Sequence, residues 1–320
     1  MPHKRRVFNQ RCPMLSVVVP CYNEAEVLAH THARLARTLD RLVGFEYEHI
    51  YVDDGSVDGT WQIVESLAEG SRTVRGVKLS RNFGHQAACL AGLRESAGDA
   101  VVVIDADLQD PPELIAEMVA LWCEGWSVVS ARRRSRAGES VFKRLSAFAY
   151  YRMLKALSEH DPALDTGDFR LLDREVVALL VELPEKDLYL RGAVSWFGLP
   201  ETGVAYDRDP RLAGESKYDL RRMLGLARSG LLVGSAAPLR LPTYLGAAAL
   251  VCGTAAAAVR RDPKLLVRPG AFAAQALALG AIGEYLHALY RQAQGRPHYV
   301  VEEHLGTALR PLPTKERVVL

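Results

Sequence analysis

The first two thirds of the chain alternate between short apolar runs rich in β-branched residues and longer stretches of helical period. The runs that predict strands cover residues 15–19, 49–52, 74–79, 100–104 and 128–130. The stretches that predict helices cover residues 24–42, 58–68, 85–97, 112–123 and 139–157. Such alternation is typical of a sheet whose strands run mostly parallel. We therefore expect an α/β fold with a mostly parallel, Rossmann-like sheet.

Charge and cysteine usage narrow the possible partners and the compartment. The 320 residues carry a formal net charge of +2, which gives no overall reason to expect nucleic acid as a partner. The five cysteines form neither a C-x-x-C pair nor a cluster with histidine, so they predict a reducing compartment without disulfides or structural zinc. The apolar run before Pro20 is too short for a signal peptide. We expect the catalytic part to lie in the cytosol.

Two carboxylates follow the predicted strand at residues 100–104, namely Asp105 and Asp107. In open parallel sheets, ligands bind at the carboxyl ends of the strands. Two carboxylates one residue apart can hold one hard divalent cation, and Gln109 offers a further oxygen. A metal there would neutralise a departing nucleotide diphosphate. An isolated D-x-D is more often a solvated acidic turn, so this interpretation depends on the motifs around it.

A second acidic site, Asp53 and Asp54 followed by Gly55 and Ser56, comes after the predicted strand at residues 49–52. Adjacent carboxylates at that edge can accept hydrogen bonds from a base N–H and from ribose hydroxyls. The spacing of acidic residues from 54 to 65 also matches an EF-hand calcium loop. That loop needs a preceding helix, whereas a strand is predicted here, so the nucleotide interpretation is favoured.

The first predicted strand ends in Pro20, Cys21, Tyr22, Asn23 and Glu24. A tyrosine at a strand end can stack on a base, and a glutamate suits the start of the next helix.

A basic segment, residues 132–136, contains four arginines and follows the predicted strand at 128–130. Arginines at this edge can bind phosphates through paired hydrogen bonds. A solvated basic loop or a nucleic-acid patch is the alternative, and the acidic sites opposite disfavour it. Downstream, Asp168 adds a carboxylate, while Arg211 and Lys217 add two cations. The sequence contains neither a P-loop nor a G-x-G-x-x-G motif.

Together these motifs resemble the inverting family 2 glycosyltransferases that act on polyprenyl phosphate. The resemblance points to bacterial bactoprenol glucosyltransferases, with dolichyl-phosphate mannose synthases and the lipid-A aminoarabinose-pathway transferases as relatives. It extends from about residue 15 to residue 245 and includes residues 79–86, 191–196 and 211–218. Seven or more motifs in one order are far more specific than a single D-x-D.

The resemblance implies a GT-A fold and a Mg²⁺ or Mn²⁺ ion held by Asp105, Asp107 and Gln109. It also implies contacts with a nucleotide-sugar donor, and these fall on Pro20, Tyr22, Glu24, Asp53, Asp54 and Asp105. The acceptor phosphate is expected to contact arginines and a lysine, and these fall on Arg132, Arg211 and Lys217. Asp168 lies in the acceptor-side motif of the family.

The acceptor that the resemblance implies, a polyprenyl monophosphate, already carries an anionic oxygen at neutral pH, so it needs no strongly activated nucleophile. The enzyme must hold two repelling phosphate groups in line and neutralise both. The expected chemistry is transfer of a hexose with inversion, with UDP-glucose as the first donor to test and other UDP-hexoses next. Relatives suggest a homo-oligomer formed through the membrane zone.

The C-terminal part departs from these relatives, because its apolar spans are shorter and closer together. Residues 219–241 mix apolar side chains with arginines and predict an amphipathic segment at a membrane surface, or a basic helix packed on the domain. The apolar runs 244–259 and 270–282 flank a cationic stretch at residues 260–268. Sixteen helical residues cover about 24 Å, less than the hydrocarbon core of about 30 Å. Two short spans, a half-inserted hairpin and a soluble helical pair all remain open.

The chain is accordingly divided into four parts. They are a GT-A domain (1–218), a juxtamembrane segment (219–241), two short apolar helices forming a membrane hairpin (242–292) and a cytosolic tail (293–320). We expect the protein at the cytoplasmic membrane, in contact with membrane lipid.

Two other functions compete with this one. A soluble family 2 glycosyltransferase acting on a glycan hydroxyl would need a general base, and Asp168 is the candidate. A non-catalytic membrane scaffold would have kept the fold without the activity. The intact Asp53, Asp105, Asp107 and Arg211 argue against loss of activity.

Overall fold

The computed structural model describes residue 6 and residues 12–133, 166–185, 189–206 and 267–310. Eight strands form one sheet: β1 (Met14–Cys21), β2 (Glu46–Asp53), β3 (Val74–Leu79), β4 (Ala100–Val103), β5 (Val128–Arg133), β6 (Thr166–Asp173), β7 (Glu201–Tyr206) and β8 (Val301–Leu305). The described residues also form seven helices: α1 (Leu28–Leu39), α2 (Thr60–Gly70), α3 (His85–Glu95), α4 (Leu114–Cys123), α5 (Arg174–Glu182), α6 (Leu190–Trp196) and α7 (Val267–Ala293).

The strand order is β7-β5-β6-β4-β1-β2-β3-β8. Strands β4, β1, β2 and β3 run parallel, and β7 runs parallel to β5. Strand β6 is antiparallel to both β4 and β5, and β8 is antiparallel to β3. The prediction of an α/β fold with a mostly parallel sheet is therefore confirmed.

The sheet is apolar on both faces because helices cover both. Helices α1, α2 and α4 pack on one face, where Leu35, Trp61 and Trp122 are buried. Helices α3, α5 and α6 pack on the other face. Every residue of β1 is buried, which explains why its sequence is a continuous apolar run rather than an alternating one.

All five predicted strands are present. Of the predicted helices, the one at 24–42 begins only at Leu28, because the preceding residues form a loop at the sheet edge. The helix predicted at 139–157 lies outside the described residues. Strands β6, β7 and β8 were not predicted.

The chain after α7 returns to the sheet. Strand β8 pairs with β3, and the Arg310 guanidinium forms ion pairs with Glu46 (2.7 Å) and Asp99 (3.1 Å) on the far side of the domain. This segment belongs to the predicted tail, residues 293–320. Its contacts tie it to the eight-stranded sheet.

Helix α7 contains the second apolar run, 270–282, and continues to Ala293. Leu279, Ile282, Leu286 and Leu289 on this helix are exposed. No helix in the described ranges is both long enough and apolar enough to cross a membrane. Residues 219–241, which were predicted to be amphipathic, and the first apolar run, 244–259, lie outside those ranges.

Candidate active site

The site lies at the edge of the sheet where β1, β2 and β4 end. Strand β6 begins at this same edge, because it runs antiparallel to β4 and its Arg170 pairs with Val103. Asp168 therefore lies beyond the end of β4, on the side where Asp105 follows that strand. The acidic residues after β2 and β4 were predicted to share an edge, and the topology brings them to it.

The loop after β1 is held to the loop after β2 by hydrogen bonds from its backbone. The amides of Asn23 and Glu24 donate to the hydroxyls of Ser56 and Thr60, each at 2.9 Å. Asn23 has a φ of 54°, a left-handed conformation that asparagine tolerates better than most residues. These contacts fix the backbone that follows Tyr22, where the nucleotide contacts were predicted.

Asp53 is fully buried at the end of β2. Its Oδ1 accepts the Ser56 N–H at 3.2 Å, whereas its Oδ2 has no hydrogen-bond partner among the described residues. Burial raises the pKa of Asp53, and the Ser56 hydrogen bonds oppose this. A buried acceptor without a donor is costly, so a ligand N–H or O–H at this position would stabilise it. This arrangement suits the base or ribose contact predicted for Asp53.

Asp54 has a structural role that the sequence did not indicate. Its two carboxylate oxygens accept the backbone N–H groups of Phe83 (2.7 Å) and Gly84 (2.9 Å). Asp54 thereby holds the loop between β3 and α3 against the end of β2. The nucleotide contact assigned to Asp54 stays a prediction.

The loop before α2 does not resemble a calcium loop. Strand β2 precedes it, where an EF-hand has a helix. The Asp58 carboxylate accepts the backbone N–H groups of Ala25 (3.2 Å) and Thr60 (3.0 Å). Asp58 therefore joins the two loops and starts α2.

The acidic loop after β4 is shaped around Leu108. This residue is buried with a φ of 54°, which is strained for a leucine. The Gln109 N–H donates to Asp107 Oδ1 at 3.1 Å, and the buried Gln109 Oε1 has no hydrogen-bond partner within the described ranges. Strained backbone of this kind is common at functional sites.

Asp105 lies in a strongly negative environment. Burial and the charges of Asp168, Asp107 and Asp110 raise its pKa to about 6, although the nearby His85 lowers it. In the described part of the chain, no three His, Cys, Asp or Glu side chains are placed to hold a metal on their own. Two carboxylates and the Gln109 amide oxygen are hard oxygen ligands that suit Mg²⁺ or Mn²⁺ shared with a diphosphate. The residues present therefore fit a metal that is completed by the donor.

Asp168 is held from two sides. Arg191 donates Nε–H to Oδ1 at 2.8 Å and Nη2–H to Oδ2 at 2.7 Å. His85 Nε2 lies 3.2 Å from Oδ2 of the same carboxylate and 3.6 Å from Oδ1 of Asp105. Although burial opposes it, these hydrogen bonds and the charges of Arg191 and His85 hold the pKa of Asp168 well below its ordinary value.

His85 and Arg191 were not identified as site residues from the sequence. Both lie in segments quoted only for the family resemblance, 79–86 and 191–196. The Cys89 sulfur, the hydrogen bond to Asp168 and the charge of Asp105 raise the pKa of His85 well above its ordinary value, although burial opposes this. The sequence signal that could have identified His85 is its place directly after Gly84, at the start of a predicted helix.

Arg132 lies at the end of β5, which is on the site edge because Arg132 pairs with Thr166 of β6. Its side chain passes over Gly203 of β7. A Cβ at residue 203 would lie 2.6 Å from Cδ and 2.8 Å from Cγ of Arg132. Arg211 and Lys217, the other predicted acceptor contacts, lie outside the described residues.

The family model described as Glycosyl transferase family 2 matches residues 16–180, just over half of the chain. The chain belongs to glycosyl transferase family 2. The matched residues extend from β1 to α5, so they include both acidic loops, His85 and Asp168. The sequence-based prediction of a family 2 glycosyltransferase with a GT-A fold is confirmed.

Several family 2 relatives align over nearly their whole length. The chain is 42% identical to the uncharacterized glycosyltransferase YkcC of Bacillus subtilis (strain 168), over 91% of this chain and 94% of the relative. It is 35% identical to the bactoprenol glucosyl transferase of Shigella phage SfII, over 91% and 99% respectively. The prophage bactoprenol glucosyl transferase homolog of Escherichia coli (strain K12) is 34% identical, over 90% and 98%.

Solved structures are more distant. The mannosyltransferase PcManGT of Pyrobaculum calidifontis, in complex with GDP-Man and Mn²⁺, is 20% identical over 87% of this chain and 88% of that chain, with a TM-score of 0.44. The glucosyl-3-phosphoglycerate synthase of Mycobacterium tuberculosis is 22% identical over 68% and 76%, with a TM-score of 0.47.

Proposed function

We propose that the protein transfers a hexose, with glucose from UDP-glucose as the first candidate, to the phosphate of a polyprenyl phosphate such as undecaprenyl phosphate. The product is a lipid-linked sugar with inverted anomeric configuration. The bactoprenol glucosyl transferases among its relatives support both the acceptor and the sugar. A Mg²⁺ or Mn²⁺ ion and a location at the cytosolic face of the membrane belong to the same proposal.

The observation that most supports this proposal is that the Asp168 carboxylate is held by Arg191 and His85 and has a lowered pKa. A glycosyltransferase that acts on a sugar hydroxyl needs a general base with a pKa near the working pH. Asp168 is the acceptor-side carboxylate, yet it accepts two hydrogen bonds from Arg191, its Oδ2 lies 3.2 Å from His85 Nε2, and its pKa is held low. A carboxylate stabilised in this way is a weak base. The site therefore suits an acceptor that is already anionic.

The reaction needs no proton transfer. An oxygen of the acceptor phosphate attacks the anomeric carbon, and a new carbon–oxygen bond forms as the bond to the nucleotide diphosphate breaks. The bonding electron pair leaves on the diphosphate oxygen. The protein's part is to align the two phosphate groups and to reduce their mutual repulsion.

The donor side is formed by the loops after β1, β2 and β4. Asp53 presents a buried acceptor to the nucleotide, while Pro20 lies at the end of β1 and Tyr22 and Glu24 lie in the loop that follows it. Asp105, Asp107 and Gln109 would hold the metal. When bound, that ion supplies positive charge that stabilises the departing diphosphate.

The acceptor side is assigned to Arg132, Arg211 and Lys217, with Asp168 nearby. Arg132 is exposed at the site edge, where a phosphate from solution or from a membrane surface can reach it. The exposed apolar side chains of α7 suit contact with membrane lipid. A homo-oligomer formed through the C-terminal region stays a prediction.

The test is to incubate the full-length protein with several labelled nucleotide-sugars, Mn²⁺ and polyprenyl phosphate, and to ask which label enters the lipid. We expect UDP-glucose to label it. Asp107→Asn should remove most of the transfer while the unfolding free energy measured in urea stays within about 0.5 kcal/mol of wild type, as for a surface substitution. Full turnover with excess chelator would contradict the metal. Transfer to free glycans instead of the lipid would favour the soluble glycan-directed enzyme, and no nucleotide-sugar binding would favour a scaffold.

A further inference from the structure

His85 stands between the two halves of the site. It is the first residue of α3, and its position is set by the loop before it. Gly84 has a φ of 101°, and Asp54 holds the N–H groups of both Phe83 and Gly84. The backbone that presents the imidazole is therefore fixed to the end of β2.

The imidazole contacts a carboxylate from each half. Its Nε2 lies 3.2 Å from Asp168 Oδ2 on the acceptor side and 3.6 Å from Asp105 Oδ1 on the donor side. The Cys89 sulfur, one turn later in α3, lies 3.5 Å from the same nitrogen. Without the imidazole, two carboxylates would face each other across this position and repel.

The next residue extends the connection to α6. Gln86 Oε1 accepts the backbone N–H of Leu190 at 3.2 Å, at the start of the helix that carries Arg191. Arg191 in turn donates to both carboxylate oxygens of Asp168. Asp168 thus lies between two helix starts that are joined to each other.

We propose that His85 is a positioning residue of the transfer reaction, which fixes Asp168 relative to the donor-side Asp105. This inference rests on the proposed function, which defines the donor and acceptor sides. His85 acts through the contact of its Nε2 with Asp168 Oδ2. Loss of that contact changes the alignment of donor and acceptor, so it lowers kcat more than it changes the KM for the nucleotide-sugar.

Two variants of equal polarity separate this role from a merely structural one. The amide nitrogen of His85→Gln reaches about as far as Nε2, whereas that of His85→Asn falls short of Asp168. We expect His85→Asn to lower kcat about 10- to 100-fold, the usual effect of misalignment, and His85→Gln to stay within about 5-fold of wild type. The KM for UDP-glucose should change by less than about 3-fold in both, since Asp53 and its loop are untouched. His304→Asn, an exposed histidine on β8, is the control and should match wild type.

A double-mutant cycle with Asp168→Asn tests whether His85 acts through Asp168. In the Asp168→Asn background, His85→Asn should lower kcat by less than about 3-fold further. The reason is that the effects of two residues that act through one contact are not additive. Equal losses in both backgrounds, or equal kcat values for His85→Asn and His85→Gln, would overturn the proposal.

The same cycle distinguishes this inference from the proposed function. A wild-type protein that cleaves UDP-glucose but does not label polyprenyl phosphate would contradict the acceptor. The cycle is then measured on the slow hydrolysis of UDP-glucose by water, which occurs at the same anomeric carbon. Coupled losses there would support the role of His85, and additive losses would overturn it.

Discussion

Arg191 and Asp168 form a bidentate ion pair, with Nε–H donating to Oδ1 at 2.8 Å and Nη2–H donating to Oδ2 at 2.7 Å. The pair lies beside the acidic loop after β4, where a glycan-directed enzyme would need its base. Because the pKa of Asp168 is held well below its ordinary value, this carboxylate stays ionised throughout the range in which the enzyme would work. We therefore expect its charge to orient neighbouring groups and not to take up a proton.

The first prediction concerns the pH dependence of Asp168→Asn. If Asp168 were a general base with a pKa near the working pH, its loss would remove an ionisation from the rate profile, and the ratio of wild-type to variant kcat would change with pH. Since its folded pKa is low, both proteins should titrate alike. We expect kcat to fall about 10- to 100-fold, by the same factor at every pH from about 6 to 9. A ratio that rises steeply with pH would show that Asp168 acts as a base.

The second prediction concerns the contact between the loops after β2 and β3. Gly55 has a φ of 69°, and a Cβ there would lie 2.6 Å from Asn82 N and 2.8 Å from Arg81 Cα. Gly55→Ala should therefore displace the loop that leads to His85 and cost about 2–4 kcal/mol of unfolding free energy, as overpacking and backbone strain do. Urea denaturation measures this loss.

Gly44→Ala is the matched control for Gly55. Its φ is 85°, but a Cβ there meets nothing within 4 Å. Gly44→Ala shares the backbone strain of Gly55→Ala but not its contact with a neighbouring loop. It should therefore lower the unfolding free energy by only about 1 kcal/mol and leave transfer intact. Equal losses in stability and activity for the two variants would show that the loop contact is unimportant.

The third prediction concerns Arg132 and the space above Gly203. A methyl group at residue 203 would occupy the path of the Arg132 side chain, which is flexible and can move aside. We expect Gly203→Ala to fold normally and to raise the KM for polyprenyl phosphate about 3- to 30-fold, equivalent to about 0.6–2 kcal/mol of lost binding. The KM for UDP-glucose should not change. Gly70→Ala is the control, because a Cβ there meets nothing within 4 Å. An unchanged KM for polyprenyl phosphate in Gly203→Ala would contradict the assignment of Arg132 to the acceptor site.

The fourth prediction concerns the pH dependence of stability. His49 is buried in β2 against Tyr51 and His32, and neither ring nitrogen has a hydrogen-bond partner among the residues described. Burial, and to a lesser degree the charge of His32, lower its pKa to about 3. The unfolded chain, with a histidine pKa of about 6.5, binds more protons than the folded chain between these values, so stability falls as the pH falls. His49 should contribute about 2 kcal/mol of lost stability between pH 7 and pH 5.

His49→Phe isolates that contribution, since it removes the titrating ring without breaking a hydrogen bond of the described residues. The difference in unfolding free energy between pH 7 and pH 5 should shrink by about 2 kcal/mol relative to wild type. His304→Phe, at an exposed position, should leave the difference unchanged. A wild-type pH dependence in His49→Phe would place the acid sensitivity elsewhere.

The local sequence pattern predicted the parallel half of the sheet and the edge at which Asp53 and Asp105 meet. Both residues follow strands whose β-branched, apolar character is continuous, and parallel strands bring their ends together. The antiparallel strands β6 and β8 were missed for a physical reason. Thr166–Asp173 is placed by pairing with β4 and β5, and Val301–Leu305 by pairing with β3, and neither pairing leaves a periodic signal in its own segment.

The local sequence pattern could place only those site residues that directly follow a predicted strand. His85 and Arg191 reach Asp168 from two helix starts that are far apart in sequence from β6, so no local spacing could bring them together. Asp54 follows the last residue of β2, and its carboxylate holds the loop that presents His85, a contact between loops that no local spacing predicts. Its contact with the nucleotide stays a prediction.

The central claim is that the nucleophile is a phosphate oxygen that is ionised before it binds. In the most direct measurement, the enzyme is incubated with labelled UDP-glucose and Mn²⁺. Equal concentrations of a polyprenyl phosphate and of the corresponding free polyprenol are present as acceptors. The two acceptors share the lipid chain and differ only in whether a base is needed. We expect label in the polyprenyl phosphate alone. Comparable labelling of the polyprenol would contradict the account, because it would require a base that Asp168, paired with Arg191 and His85, does not provide.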